Sequence, residues 1–171
     1  MRALWCFVLV SIGLSCGKDA EGEPPVARPC GSFTGIYQRD INGQPFGASD
    51  TSDWGWKDAW CPEAEALFAD RPAVIVDTLP LDSFLAAAFP NPASDDLVLH
   101  FFRADTSHVE LRIVNEQFQR LYSTDSVVNN WHYIDTDTVA EYRPQIVRVY
   151  YRLVHADGTA HRGHGDLKIT E

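Results

Sequence analysis

Basic residues and long apolar runs are both scarce in this sequence of 171 residues. Lys and Arg number 14 against 24 Asp and Glu, which gives a formal net charge of −10. No basic patch is present, so binding of nucleic acid by neutralising its phosphates is disfavoured, as is attraction to anionic lipid. The apolar run near the start, residues 3–15, is too short for a membrane-spanning helix, which needs about 20 residues.

The motifs of common enzyme mechanisms are missing as well. The chain contains no G-x-S-x-G nucleophile motif, no glycine-rich phosphate-binding loop and no H-E-x-x-H zinc motif. Carboxylates are plentiful, but their spacing singles out no pair as a general acid and base. The sequence therefore predicts a protein that is not an enzyme and holds no cofactor.

An export signal occupies the first fifteen residues. One basic residue, Arg2, precedes an apolar stretch that ends at Leu14, and the chain becomes polar and acidic after Cys16. A basic start, an apolar core and small residues near its end are typical of a secretory signal peptide. We therefore expect residues 1–15 to be removed, and simple secretion after that cleavage is one alternative.

The cysteine directly after this stretch resembles the lipobox of bacterial lipoproteins, where cleavage precedes an acylated cysteine. The resemblance implies that Cys16 is lipidated and anchors the protein to the bacterial outer membrane or cell surface. Acyl chains hold a protein on a membrane because each buried methylene contributes about 0.8 kcal/mol. Residues 16–29 then form an acidic linker, which is similar to the acidic stretch of surface lipoproteins in the Bacteroidota.

Two cysteines remain in the mature chain, Cys30 and Cys61. An even pair in an oxidising compartment predicts a disulfide. The chain-entropy treatment of the loop that it closes gives roughly 3–4 kcal/mol of stabilisation. A redox or metal site is the alternative interpretation of this pair.

Residues 30–72 form a Trp-rich subregion joined by the predicted disulfide. Trp54, Trp56 and Trp60 lie close together, and the last two share a face if the segment is helical. A short helix is predicted from Pro62, because proline suits a first helical turn. The three tryptophans are candidate binding residues for a sugar ring or a peptide, and a small core packed on the sheet is the alternative.

The apolar period changes from 3.6 to 2 after residue 72. Strands are predicted at 73–78, 97–102, 109–114, 117–122, within 127–134, at 147–153 and at 166–170. Asp157-Gly158 predicts a hairpin turn before the last of them. Such short strands without long helices predict a mainly β fold, an antiparallel immunoglobulin-like β-sandwich over residues 73–171, preceded by a short helix-containing region.

The strand at 147–153 has the clearest alternation. Its odd-numbered residues are apolar and are predicted to face the core, whereas Arg148, Tyr150 and Arg152 are predicted to face outward.

A proline motif, F-P-N-P-A-S-D-D, occupies residues 89–96. Its two prolines fix the backbone and remove two donors, so the motif must precede a strand. It resembles the opening of the type IX secretion C-terminal sorting domain of the Bacteroidota, and residues 109–122 resemble the second hairpin of that domain. The resemblance implies an immunoglobulin-like fold for residues 89–171 and, as an alternative function, a small secreted cargo of that system.

Three histidines, His155, His161 and His164, lie near the predicted hairpin. Imidazoles that converge across a hairpin can bind zinc, so they are candidates for a metal site and for a metal-dependent hydrolase. Short acidic segments at 50–53 and 135–138 are candidates for calcium. Exposed hairpin polarity and ordinary acidic loops are the alternatives.

These features together predict a cell-envelope lipoprotein whose β-sandwich has a non-enzymatic binding or structural role. The membrane is its partner through the lipid, and another envelope protein or a glycan is a candidate partner for the sandwich.

Overall fold

The computed structural model describes residues 33, 35–47, 50, 53–56, 59–76, 85–102, 106–139 and 144–171. Within these ranges the chain forms nine strands and one short α-helix. They are β1 (Gly55–Trp56), α1 (Pro62–Ala66), β2 (Val74–Ile75), β3 (Leu85–Phe89), β4 (Asp96–Phe102), β5 (His108–Val114), β6 (Arg120–Val127), β7 (Trp131–Asp135), β8 (Gln145–Val154) and β9 (Thr159–Ile169).

The strands form two sheets that pack as a sandwich, so the prediction of a mainly β, sandwich-like fold is confirmed. The larger sheet has the order β1-β9-β8-β5-β6, and the smaller one has the order β3-β4-β7. All these pairs are antiparallel. The exception is β2, which pairs parallel with β9 over two residues, a contact that the expected all-antiparallel pattern did not include. It lies on the same edge of β9 as β1. Six other described strands separate β2 from β9 along the chain, so no direct crossover connection joins them.

The main core lies between the two sheets. Leu97, Leu99 and Phe101 of β4 are fully buried, and so are the alternating apolar residues of β5 and β8 that face them. Val147, Val149, Tyr151 and Leu153 face this core, as the alternation predicts. Each such side chain contributes about 1.5–3 kcal/mol when it is removed from water, so this face fixes the register of every central strand.

The outer face of the larger sheet is also buried, which corrects a prediction. Arg148, Tyr150 and Arg152 were expected to face outward to solvent, but their exposed fractions are 6%, 1% and 5%. A second cluster covers them, in which Trp60 packs on Tyr150 and stacks on Phe68. Alternation within a strand separates its two faces, but it does not show whether a distant segment covers the outer one.

The buried arginines of this face stack on aromatic rings. The guanidinium carbons of Arg112 and Arg152 lie 4.8 and 4.5 Å from the ring centroid of Phe68, which both of them contact. Arg152 Nε also donates to Glu110 at 2.9 Å, and Arg112 Nε donates to the carbonyl oxygen of Leu67 at 3.1 Å. Each buried charge therefore has partners, as burial of a charge requires.

The turn at the start of β9 forms as predicted, but the strand begins earlier than expected. The amide of His155 donates to the carbonyl of Thr159, and Gly158 has φ +83°, a conformation that glycine adopts without strain. Pairing with β8 starts directly after this turn. The prediction of a last strand at 166–170 was therefore too short, because polar residues in the strand hid its first half.

The proline motif joins β3 to β4 and connects the two sheets. The motif precedes β4, as predicted, and β4 is the central strand of the smaller sheet, between β3 and β7. Asn91 is fully buried. Its Nδ2 donates to the carbonyl of Asp166 at 2.9 Å, and its Oδ1 accepts from the amide of Lys168 at 3.0 Å. One side chain thus ties the smaller sheet to β9.

Replacing Asn91 with alanine is expected to lower the free energy of unfolding by about 2–3 kcal/mol, since it leaves buried backbone groups of β9 without partners. Urea denaturation measures the change. The matched control is Asn42→Ala, because Asn42 is an exposed asparagine in a turn, and its replacement should change stability by less than about 0.5 kcal/mol. Equal effects of the two substitutions would contradict the assigned role of Asn91.

Candidate functional site

The outer face of the smaller sheet carries a group of exposed aromatic side chains. In β4, Leu97 and Leu99 point into the core, so Val98 and His100 point away from it. In β7, Ile134 is buried whereas Tyr133 is exposed. We call the resulting surface the aromatic face and define it as Phe89, Val98, His100, Phe102, Trp131 and Tyr133.

Strand register holds the rings of the aromatic face in fixed positions. His100 is directly opposite Trp131, and the two rings stack with centroids 4.1 Å apart and planes inclined by 18°. The ring of Phe89 meets that of Trp131 edge-on at 5.8 Å. Because Phe89, His100 and Trp131 support one another, this part of the face is organised before any ligand arrives.

The rings of this face remain open to solvent. Trp131 is 48% exposed, Phe102 53% and Tyr133 71%. Scattered single apolar residues are normal on a protein surface, but a contiguous exposed apolar patch is often a functional contact site. Aromatic residues are also enriched where proteins bind other molecules.

The electrostatic character of this surface is neutral to acidic. The sequences of β3, β4 and β7 contain no Lys or Arg. Asp96 and Asp135 lie directly opposite each other at one end, and both are exposed. Burial lowers the pKa of His100 from its usual value, so its imidazole is neutral at pH 7.

A tight turn borders the aromatic face beside Phe89. Asp40 Oδ1 accepts hydrogen bonds from the amides of Asn42 and Gln44, and this arrangement is a common turn device of aspartate. Gly43 has φ +76°, and a Cβ added there would lie 3.5 Å from the Phe89 ring. The turn therefore adds exposed amide side chains to one border of the face.

Two of the cysteines lie outside the described residues: Cys16, the predicted site of the lipid, and Cys30, the predicted disulfide partner of Cys61. Both assignments stay predictions. Cys61 caps α1, and its Sγ accepts from the amide of Ala64 at 3.4 Å. In the part of the chain that the structure describes, no helix is both long enough and apolar enough to cross a membrane.

The tryptophans predicted as binding candidates are placed differently. Trp54 is 8% exposed and stacks on Tyr151 in the main core. Trp60 is 9% exposed in the second cluster. Neither offers an open surface, so both tryptophans belong to the cores packed on the sheet and not to a binding site. Trp56 lies in β1, and Trp60 precedes α1, so the two do not share a helical face. The side chain of Trp56 is not among those that the structure describes.

The three histidines do not converge. His155 and His161 are neighbours, with ring centroids 5.1 Å apart, and His161 Nδ1 lies 3.0 Å from the carbonyl oxygen of Val76. His164 is three residues further along β9, and an odd spacing in a strand puts it on the opposite sheet face. Among the residues described, no group of three or more His, Cys, Asp or Glu side chains is arranged to hold a metal ion.

In both acidic segments considered for calcium, a carboxylate accepts hydrogen bonds from backbone amides. Asp135 caps a 3-10 turn, and its Oδ1 accepts from the amide of Asp137 at 2.9 Å. Asp53 accepts from the amides of Asp166 and Tyr37 at 2.9 and 3.0 Å. These bonds explain why acidic residues occur there.

A groove of about 590 Å³ lies at the end of the larger sheet. Its walls include amide and charged side chains, among them Asn115, Gln117 and Lys168, and two apolar residues, Pro144 and Ile146. It contains no aromatic ring on which a ligand could stack, so the aromatic face is the stronger candidate.

Sequence reasoning missed the aromatic face. Phe89 was assigned to the proline motif, and Trp131 and Tyr133 fell in a loosely bounded strand. The sequence did contain a signal, because aromatic residues occupy alternate positions in two strands. These are His100 and Phe102 in β4, and Trp131 and Tyr133 in β7. Pairing between these strands was needed to show that the four side chains share a face.

Comparison with known proteins adds little. No family model matches this chain, and no curated protein matches it. Among solved structures, CopC from Methylosinus trichosporium OB3b is similar with a TM-score of 0.36 and 12% identity, over 51% of this chain and 93% of CopC. A likeness this low carries no functional inference.

Proposed function

We propose that this chain is a cell-envelope lipoprotein whose β-sandwich is a non-enzymatic binding module. Acylated Cys16 holds it on the bacterial outer membrane or cell surface, and the aromatic face is its contact surface. The observation that carries the proposal is the set of aromatic rings on one sheet face. Trp131 contacts His100 and Phe89, and it is open to solvent together with Phe102 and Tyr133.

The aromatic face suits binding for two energetic reasons. Covering an exposed aromatic side chain contributes about 25 cal/mol for each Å² of apolar surface removed from water. Trp131 is also restrained by strand pairing and by its contacts with His100 and Phe89, so little of its side-chain entropy is lost when a ligand binds. Several rings that act together can therefore support a specific contact.

The linker suits a module that is tethered close to the membrane but stays separate from it. Residues 16–29 are rich in glycine, proline and acidic residues, a composition that stays extended and solvated. Its end-to-end distance is roughly 20 Å if it behaves as a flexible chain. An acylated Cys16 would then hold the module close to the membrane and leave the aromatic face accessible.

Labelling cells with radioactive palmitate tests the anchor. We expect the wild-type chain to retain label in the membrane fraction and Cys16→Ala to lose it. The matched control is Cys6→Ala, which removes a cysteine of the signal peptide and should leave labelling unchanged. Label that persists in Cys16→Ala would contradict the assignment of the lipid to this cysteine. A cleaved but unlabelled wild-type chain would instead favour secretion, including the alternative of a type IX cargo.

A further inference from the structure

We propose that the aromatic face binds a neutral carbohydrate chain, whose sugar rings stack on Trp131 and Tyr133. This inference rests on the proposed function and names the ligand class of the same surface. Three features of the face carry it: its charge, its area and the arrangement of its rings and polar groups.

Charge argues against nucleic acid and other anionic ligands. Rings that stack on nucleic-acid bases are accompanied by basic residues that bind the phosphates. Here the three strands contain no Lys or Arg, and exposed Asp96 and Asp135 lie at one end of the face. An anionic chain would be repelled, whereas a neutral one would not.

Area argues against a globular protein partner. Three strands spaced about 4.8 Å apart, each contributing five to seven residues at about 3.3 Å per residue, give a surface of roughly 300 Å². A stable protein–protein interface covers about 800 Å² on each partner. The projected area of the aromatic face is well below that value, so a globular partner would have to extend onto neighbouring surfaces, whereas the face alone suffices to cover a few sugar rings.

The chemistry of the face matches that of a pyranose ring. One side of such a ring presents C–H groups, which are attracted to the electron-rich face of an aromatic ring, and its edge presents hydroxyl groups. Trp131 and Tyr133 are two residues apart on one strand, which separates them by about 7 Å along it, so a chain can contact both. Nearby carboxylates and the neutral imidazole of His100 can accept hydrogen bonds from the hydroxyls.

Affinity electrophoresis tests this proposal. The full-length chain in detergent is run in gels that contain hydroxyethyl cellulose, xyloglucan, galactomannan, amylopectin or dextran, with alginate as an anionic polysaccharide. We expect at least one neutral polysaccharide to retard the protein and alginate not to do so. Calorimetry with an oligosaccharide of the retarding polymer then gives the affinity.

Variants assign the binding to the face. Trp131→Ala and Tyr133→Ala should each weaken binding about tenfold or more, since each removes one stacking surface. Trp131→Phe, which keeps a ring, should lose less. The matched control is Val74→Ala, which truncates a 66% exposed side chain on the other sheet and should bind as wild type. Circular dichroism verifies that each variant is folded.

Two results would overturn the carbohydrate assignment: no retardation by any neutral polysaccharide, or retardation that Trp131→Ala leaves unchanged. A photo-crosslinker placed at position 133 in whole cells separates this failure from failure of the proposed function. A crosslink to a protein without retardation would keep the binding module and remove the glycan. Absence of both would remove the binding module as well.

Discussion

Replacing Phe68 with alanine is expected to lower the free energy of unfolding by about 3–5 kcal/mol. The ring is 3% exposed. It lies within 5 Å of the guanidinium carbons of Arg112 and Arg152 and stacks on Trp60 at 5.1 Å between centroids. Truncation would leave a cavity and would also remove the apolar cover from two buried arginines.

The loss of cover makes this site more sensitive than an ordinary core position. Arg112 is 1% exposed, and it bonds to the carbonyl of Leu67, the residue next to Phe68. If the segment that carries Phe68 separates from the sheet, this bond is lost and the charge is left with fewer partners, which is strongly unfavourable in a buried site. We therefore expect the second cluster to unfold together with the sheet and not as a separate unit.

Urea denaturation followed by fluorescence measures this effect. Phe46→Ala is the matched control, because the same truncation at a 46% exposed phenylalanine should change stability by less than about 1 kcal/mol. Phe68→Leu should lie between the two, since it fills part of the cavity. A loss below about 1 kcal/mol in Phe68→Ala would show that the second cluster does not stabilise the sheet.

The second large effect concerns pH, and it arises from Asp53. Burial raises the pKa of this carboxyl to about 7, against 3.8 in the unfolded chain, and hydrogen bonds from the amides of Asp166 and Tyr37 offset only part of this effect. Between these two values the folded state binds a proton that the unfolded state lacks. Stability from this group is therefore greatest at low pH and falls as pH rises from about 4 to about 7, by about 2–4 kcal/mol.

Three histidines change the stability in the opposite direction over part of this pH range. Burial lowers the pKa values of His100, His132 and His161. The unfolded chain therefore binds more protons near pH 6, and these histidines add stability as pH rises through that region. The effect of Asp53 is consequently visible only in a comparison with a variant that lacks the carboxyl.

The measurement is the difference in unfolding free energy between wild type and Asp53→Asn at intervals from pH 4 to pH 8. We expect Asp53→Asn to become more stable relative to wild type as pH rises, although its amide matches the two backbone donors poorly. Asp70→Asn, at an exposed carboxyl, should show a nearly constant difference. A constant difference for Asp53→Asn as well would show that Asp53 is ionised throughout this range.

Part of the fold follows from local sequence pattern. The alternation in β8 correctly identified its four core residues, and Asp157-Gly158 correctly identified the hairpin turn before β9. Proline at the first position of α1 correctly identified where the helix begins. Each of these features is set by the residues within one strand or one turn.

The roles of the outward-facing residues depended on contacts between distant segments. The outward-facing positions of β8 and of β4 both mix polar and apolar residues. Phe68 nevertheless covers Arg152, and Trp60 covers Tyr150. His100 in β4, by contrast, stays partly exposed. No property of either strand predicts this difference, because the covering residues lie far away in the chain. For the same reason, the sequence suggested the three tryptophans as a binding site, although Trp54 and Trp60 are buried in the structure.

The sequence by itself determined the mainly β class and the inward faces of the central strands, and it predicts an export signal and a lipid-bearing cysteine. These depend on hydrophobicity and period, which act over a few residues. Tertiary structure alone decided which outer face is covered, how Asn91 joins the two sheets, and that Trp131 lies directly opposite His100. Those outcomes come from strand pairing and packing between distant residues, and they place an open aromatic surface on one side of the sandwich.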